Sequence, residues 1–326
     1  MYFLETRTTD PYDNLAAEER LMDTVPRGEG GLMLWQNDRT IVVGKYQNTA
    51  DEINAQSVEE PQIRVARRLS GGGAVYHDLG NLNYTIIEDQ EGARKIDFAK
   101  YISPVIRTLE GFGISAEFTG RNDIVIGGKK ISGNAQYSRN GRILHHGCIL
   151  LDSDLGVVQE ALRVSPAKYA SRGVRSIASR VTTINACAPR PITMEEFRTA
   201  LAGEILREQD VTPVDWTPED LGAIRKLRER YASWEWIYGA RADYAVRKQR
   251  RFDAGTVTAD LDVRKGRIER IRITGDFFGN GEIAELEAKL TGAELNGSLR
   301  ALLADADVPA YIQGMTSEEL YELLAY

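Results

Sequence analysis

The chain has 326 residues and a net charge of −7, with 27% charged and 42% hydrophobic residues. That length is generous for one domain and short for three, so two are expected, with core enough to need neither metal nor disulfide. The acidic balance argues against a general nucleic-acid or anionic-membrane binder, and Cys148 and Cys187 alone make neither a disulfide framework nor a zinc spacing.

Such cysteine usage fits a reducing setting. The N-terminus lacks a basic segment followed by an apolar one, and no run approaches the roughly 20 apolar residues of a membrane span. A soluble, cytoplasmic protein is expected.

Along the chain, Asp13-Asn14 opens a helical stretch carrying Leu15, Leu21, Met22 and Val25. Leu32 to Trp35 and Thr40 to Gly44 read as strands paired around Asn37-Asp38. Ile102, Val105, Ile106 and Leu109 recur at helical spacing, ending at Gly111 and Gly113. The middle is strand-rich: Asp123 to Ile126, then Lys130 to Tyr137, then Ile143 to Leu151 after the hairpin signal Asn140-Gly141. Helices interleaved with such a meander predict a mixed sheet rather than a doubly wound one. Phe197, Leu201 and Ile205 mark one face of a later helix.

A boundary is expected just after the Trp234 to Gly239 stretch, giving domains 1–240 and 241–326. Beyond it Val257, Ala259, Leu261 and Val263 alternate strictly into a hairpin at Lys265-Gly266. Two or three helices close the chain, the last opened by the capping box Thr316-x-x-Glu319. The cluster Arg247, Lys248, Arg250, Arg251 reads as a solvated face.

Chemistry concentrates in Ser70-Gly71-Gly72-Gly73-Ala74-Val75, where bare backbone amides can approach a phosphate. Arg67 and Arg68 precede this loop and can neutralise an anion. It is not a Walker A loop, since no G-x-x-x-x-G-K-[ST] occurs, and Gly279-Asn280-Gly281 reads as a turn rather than a dinucleotide site. Only three histidines exist, His77, His145 and His146. The last two are strand neighbours on opposite faces, which disfavours a metal triad. Lys129 and Lys130 likewise diverge, so one can face a pocket and stabilise developing negative charge there. His146 and Cys148 share a strand face, which leaves a Cys–His nucleophile pair as an alternative.

Together, Arg67 to Asn81, Gly120-Arg121-Asn122-Asp123, Lys130-Ile131-Ser132-Gly133-Asn134-Ala135 and His145-His146-Gly147 resemble, in order and spacing, the motifs of lipoate–protein ligases within the biotin/lipoate ligase superfamily. The likeness extends to Asn14-Leu15-Ala16-x-Glu18, Leu34-Trp35-x-Asn37, Ser179-Arg180-Val181-Thr182 and Trp234-x-Trp236, and so covers the two-domain bacterial type. It implies an α/β (α+β) catalytic domain with mixed sheets flanked by helices, plus a small C-terminal α/β domain. The activity implied is ATP- and Mg2+-dependent conversion of lipoate, or octanoate, to an acyl-adenylate. Transfer follows to a lysine of lipoyl domains of 2-oxoacid dehydrogenase E2 subunits or of the glycine-cleavage H protein, by a monomer. By motif, Arg68 contacts the nucleotide phosphate, Gly73, Ala74, Val75 and Tyr76 form the adenylate wall, and Lys130 bridges acyl carbonyl and phosphate. Ser70, His77, His146 and Gly147 belong to the lipoate pocket, Asn122, Asp123 and Cys148 to its surroundings, and Asp123 is the candidate for magnesium. Related amidotransferases use an acyl-cysteine in the segment that here reads Gly120 to Asp123, where no cysteine stands. An ATP-independent acyltransferase through Cys148 is the alternative. Arg247 to Arg251 is a candidate docking surface for an acidic lipoyl domain.

Overall fold

The first helix starts earlier than its apolar spacing indicates. In the computed structural model, which describes residues 1–53, 63–90, 97–119, 122–157, 180–239, 244–295 and 297–325, strand β1 (Tyr2–Glu5) leads to helix α1 (Pro11–Thr24). Its cap is Asp10, whose carboxylate accepts from the amides of Tyr12 and Asp13. Pro11 suits the first helical position, where an amide would go unpaired. Asn14, expected to open the helix, is fully buried inside it.

Strands β2 (Gly31–Trp35) and β3 (Thr40–Val43) form but do not pair with each other. Asn37 between them is buried and bonded to Asn14, and Arg39 takes a φ of 41°, so the chain crosses to a second sheet instead of folding back. There, beyond the single-turn α2 (Thr49–Glu52), β3 pairs with β4 (Arg64–Arg67) in parallel and β5 (Val75–His77) antiparallel. The chain continues through β6 (Asn81–Asp89), α3 (Ala99–Gly111), β7 (Glu117–Phe118), β8 (Asp123–Ile126), β9 (Lys129–Arg139) and β10 (Arg142–Leu150). Then come α4 (Met194–Ile205), β11 (Thr212–Pro213), α5 (Pro218–Ala232) and α6 (Trp234–Tyr238).

The main sheet has the order β11-β1-β2-β6-β10-β9-β8-β7 and is mixed, as expected. Among its described strands, the pairs of β1 with β2 and with β11 are parallel and the others antiparallel. Asn140 and Gly141 both have positive φ, 52° and 67°, the conformation that a two-residue hairpin matched to strand twist requires. Alternation along the strands feeds two cores. Met33, Ile87 and Leu144 pack with α1 and α5, whereas Leu34, Tyr84 and Ile143 pack with α3 and α4.

A separate three-stranded sheet, β12 (Val246–Phe252), β13 (Gly255–Arg264) and β14 (Arg267–Gly275), follows. It buries its own cluster against α7 (Ile283–Leu290), α8 (Gly297–Asp305), α9 (Val308–Tyr311) and α10 (Ser317–Ala325). The expected hairpin at Lys265-Gly266 and the Thr316–Glu319 capping box are both present. Among the described residues four helices follow β14 instead of two or three, α9 being a single turn. The basic cluster is edge strand β12, and its cations have partners: Arg250 pairs with Glu322 at 2.9 Å, Arg251 with Asp276 at 3.4 Å, and Lys248 donates to the Leu324 carbonyl. Among the described residues, no helix is long and apolar enough to cross a membrane.

Arg67 ties the second sheet to α6. Its buried guanidinium donates to the carbonyls of Gly44, Gln47, Trp236 and Ile237 and to Thr49 Oγ1, and burial lowers its pKa to about 10. It points away from the loop it precedes, so it is a clamp rather than an anion site. Arg67→Met removes these charge-assisted hydrogen bonds and is expected to cost about 3 kcal/mol of stability, read as a lowered urea midpoint.

Candidate active site

Strand register places Trp35, Asn83, Cys148 and Gly133 in one row across β2, β6, β10 and β9, with Met33, Thr85, His146 and Ala135 in the next. Both rows face the same side because side chains alternate along a strand. The first row, with His146 and Ala135, forms the floor of a cavity roofed by Leu15, Val42, Arg68, His77 and the loop from Gly72 to Val75. At one end lies Lys130, whose Nζ would meet a Cβ on Gly133 at 2.8 Å. Glycine there is what lets the ammonium settle on the sheet. The Asp123 carboxylate holds it at 2.7 Å. Burial opposes the Lys130 charge, but Asp123 and the Cys148 sulfur together outweigh it and keep the ammonium above the usual lysine range. Lys129, the neighbour, is exposed.

The glycine-rich loop is held from inside by Arg68. Its Nε donates to Ser70 Oγ at 3.0 Å, Nη1 to the Val42 carbonyl at 3.1 Å, and Nη2 to the carbonyls of Gly71 and Gly73 at 2.6 and 2.9 Å. Burial lowers its pKa to about 10, so it stays charged at neutral pH. Ser70 Oγ lies 2.6 Å from His146 Nε2, and His146 Nδ1 lies 2.9 Å from Glu18 Oε1, which also accepts from Thr85 Oγ1 at 2.6 Å. A hydrogen-bonded chain therefore runs from the fully buried Glu18 to the loop.

The three glycines differ in use. Gly72 has a φ of 90°, and its amide donates to the Phe277 carbonyl at 3.0 Å. A Cβ on Gly71 would strike that carbonyl at 2.4 Å, and one on Gly72 would strike the Phe278 ring at 2.8 Å. The C-terminal unit thus consumes the freedom of both, and Tyr46 stacked on Phe277 at 4.9 Å supports the contact. Only Gly73 faces open space, and its backbone is the one a ligand can approach.

Of the residues expected from sequence, Arg68, Gly73, Ala74, Val75, His77, Asn122, Lys130, His146, Gly147 and Cys148 line this one cavity. Ser70 does not; it is a strut between Arg68 and His146. Tyr76 sends its ring into the core beside Ile41 and Val65, which leaves only its backbone near the loop. Asp123 is committed to Lys130, and among the described residues no group of three His, Cys, Asp or Glu could hold a metal. One carboxylate already occupied by an ammonium does not fit a magnesium cage. Gly120, Arg121 and Ser179 lie outside the described residues. Both ring nitrogens of His146 are engaged, so the expected Cys148–His146 nucleophile pair is not formed.

Sequence reasoning missed the roles of Glu18 and Phe278. Glu18 had a signal: with Leu15 and Met22 it lies on the apolar stripe of α1, where a carboxylate requires a buried partner. Phe278 had none, since its place depends on how the C-terminal unit docks.

A family model for the lipoyl protein ligase A/B catalytic domain matches residues 10–206, and one for the bacterial lipoate protein ligase C-terminus matches residues 241–324. The chain belongs to the lipoyl protein ligase family. Lipoate-protein ligase LplJ of Bacillus subtilis is 40% identical over 330 residues, covering 99% of this chain and 100% of that protein. LipL1 of P. falciparum, solved in complex with lipoate, shares the fold, with a TM-score of 0.82 over 100% of this chain and 99% of that one at 22% identity. A lipoate-protein ligase A bound with ATP gives a TM-score of 0.62 at 26% identity, covering 73% of this chain and 98% of that one. The expected fold class, a mixed sheet flanked by helices with a small C-terminal unit, is the one found, and this family member is a ligase.

Two buried histidines make stability pH-dependent. Burial, with Arg68 and His146, pulls His77 down to about 3, and burial with His146 puts His145, stacked on Tyr101, well below its ordinary value. Both rings are neutral when folded, whereas the unfolded chain protonates them below about 6.5. Stability is therefore complete above about pH 6.5 and falls as pH drops toward 3, by up to about 1.4 kcal/mol per pH unit for each ring. Urea midpoints between about pH 7 and pH 5 should fall accordingly, and His145→Phe should flatten the slope.

Proposed function

We propose that the chain is an ATP-dependent lipoate–protein ligase that forms lipoyl-adenylate and passes the acyl group to a lysine of a lipoyl domain or of the glycine-cleavage H protein. The observation that carries this reading is the placement of the Lys130 ammonium over Gly133, in the same cavity as the open backbone of Gly73. In the first step a lipoate carboxylate oxygen attacks the α-phosphorus of ATP, and pyrophosphate leaves. Negative charge builds on the carbonyl and phosphoryl oxygens, where a fixed cation stabilises it most. We assign that cation to Lys130, with Asp123 aiming it. The Gly73 to Tyr76 backbone forms the adenylate wall. Arg68 holds that wall and contributes its charge, one Nη1 hydrogen remaining beyond its three loop contacts and the one to the Val42 carbonyl.

In the second step the acceptor lysine amine attacks the acyl carbon, the amide forms, and AMP departs with the bonding pair. The mixed anhydride supplies the driving force, so positioning suffices and no covalent enzyme intermediate is needed. Magnesium bound with the nucleotide would supply charge to offset that of the phosphates, and Asp123, already paired with Lys130, is not assigned to hold it. Residues 1–240 carry the chemistry in this reading, and residues 241–326 form the accessory domain that closes on the loop. A reducing cytoplasm suits the free Cys148 beside the site, and we propose that the monomer is the active unit.

Purified protein given lipoate and ATP should release pyrophosphate and accumulate lipoyl-adenylate; absence of both refutes the proposal. Lys130→Ala is expected to lower adenylation about 100- to 1,000-fold at an unchanged unfolding midpoint. Cys148→Ser should retain activity, which a thioester route would not allow.

A further inference from the structure

His77 is 3% exposed and lines the cavity, and its Nε2 is buried without a hydrogen-bond partner among the described residues. Its other nitrogen settles where the proton lies. Asn14 Nδ2 faces the carbonyls of Thr8 and Gln36 at 3.2 and 2.8 Å, and carbonyls only accept, so the Asn14 amide has one orientation. The atom of Asn37 that meets Asn14 Nδ2 at 3.0 Å must then be its oxygen. Asn37 Nδ2 is thereby turned to His77 Nδ1 at 3.2 Å. An amide nitrogen can only donate, so Nδ1 is a bare acceptor, and the neutral ring carries its hydrogen on Nε2. A buried N–H donor without a partner is costly unless a ligand completes it.

The position of that donor relative to Lys130 follows from the floor. His77 Nδ1 lies 3.4 Å from Asn83 Nδ2, and Lys130 sits over Gly133. Asn83 and Gly133 are two strands apart in the same row, with Cys148 between them. Adjacent strands are about 4.8 Å apart, so the floor positions beside donor and cation, Asn83 and Gly133, stand about 10 Å apart across the sheet. A lipoate whose carboxylate rests at Lys130 has five carbon–carbon bonds of about 1.5 Å before its ring, and spans on the order of 9 Å to the sulfurs. Its methylenes would cross Cys148, a small apolar floor residue.

Resting on the ligase reading, we propose that His77 is a specificity residue: its Nε2–H donates to a dithiolane sulfur of lipoate, and Asn14 and Asn37 position it by fixing its tautomer. Sulfur is a weak acceptor, but octanoate offers only carbon there and leaves the donor unpaired. A site built around a hydrogen bond disfavours the analogue that cannot make it.

Two measurements decide the matter. Nitrogen-15 NMR of the ligand-free protein, assigned by comparison with His77→Leu, should show a protonated Nε2 and an unprotonated Nδ1. Asn37→Asp should transfer a proton to Nδ1, because a carboxylate accepts where the amide donated. In adenylation assays, His77→Leu should lower the lipoate-to-octanoate ratio of kcat/KM about five-fold, through the KM for lipoate. A proton on Nδ1 in the native protein, or a ratio unchanged in His77→Leu, overturns the proposal. Failure of the native protein to adenylate either acid overturns the ligase reading on which it rests, whereas the ring-nitrogen shifts judge the donor assignment separately.

Discussion

The buried Arg68 guanidinium, bonded to the Gly71 and Gly73 carbonyls, is the interaction on which the site depends. A loop with three consecutive glycines has more backbone freedom to lose than other sequences. Arg68 restrains it by occupying carbonyls that would otherwise turn elsewhere. Charged donors make stronger hydrogen bonds than neutral ones, and the charge is itself supported through Ser70 and His146 by the Glu18 carboxylate. Loop shape is therefore determined by a carboxylate on the first helix, far from the loop in sequence. The arginine thus shapes the anion-binding wall as well as bringing charge to it.

The sheet contributes the other half of the site. Four strands supply one residue each to the floor row, and neither Cys148 nor Gly133 is large, so the floor stays low where an acyl chain would lie. Lys130 rests on the missing side chain of Gly133, and Asp123 fixes it there. Cation and floor are thus set by register, which one buried face specifies strongly. The C-terminal unit adds Phe278 at the cavity and the Phe277 carbonyl at Gly72.

Much of this was legible in the sequence where local rules govern. The β9–β10 hairpin follows from Asn140-Gly141, α3 from its apolar spacing, and the opposite fates of His145 and His146 from strand alternation. Motif resemblance brought ten of the expected site residues to one cavity. Legibility failed where a long-range partner decides. Asp10 could be recognised as a cap only with Pro11 taken as helical, and β2 and β3 look like a hairpin until Asn37 is seen buried under Asn14. The cations of β12 mask a strand because one face of that strand is solvated. Ser70 and Arg67 read as ligands because they adjoin the loop, although their partners are a histidine on β10 and the carbonyls of α6.

The hydrogen bond from the Gly72 amide to the Phe277 carbonyl bears on how the molecule comes into being. During synthesis the N-terminal part of a chain folds first. The loop is made early, and the β10 histidine that steadies it later, since Glu18 and His146 are separated by 128 residues. The partner of Gly72 is made later still. A nascent chain can thus hold the sheet, the lysine and the arginine clamp while one loop amide still points at water. Of the contacts that hold the loop, the one from Phe277 is made last, and a chain that stops short of it holds the floor and the cation while Gly72 still lacks its acceptor.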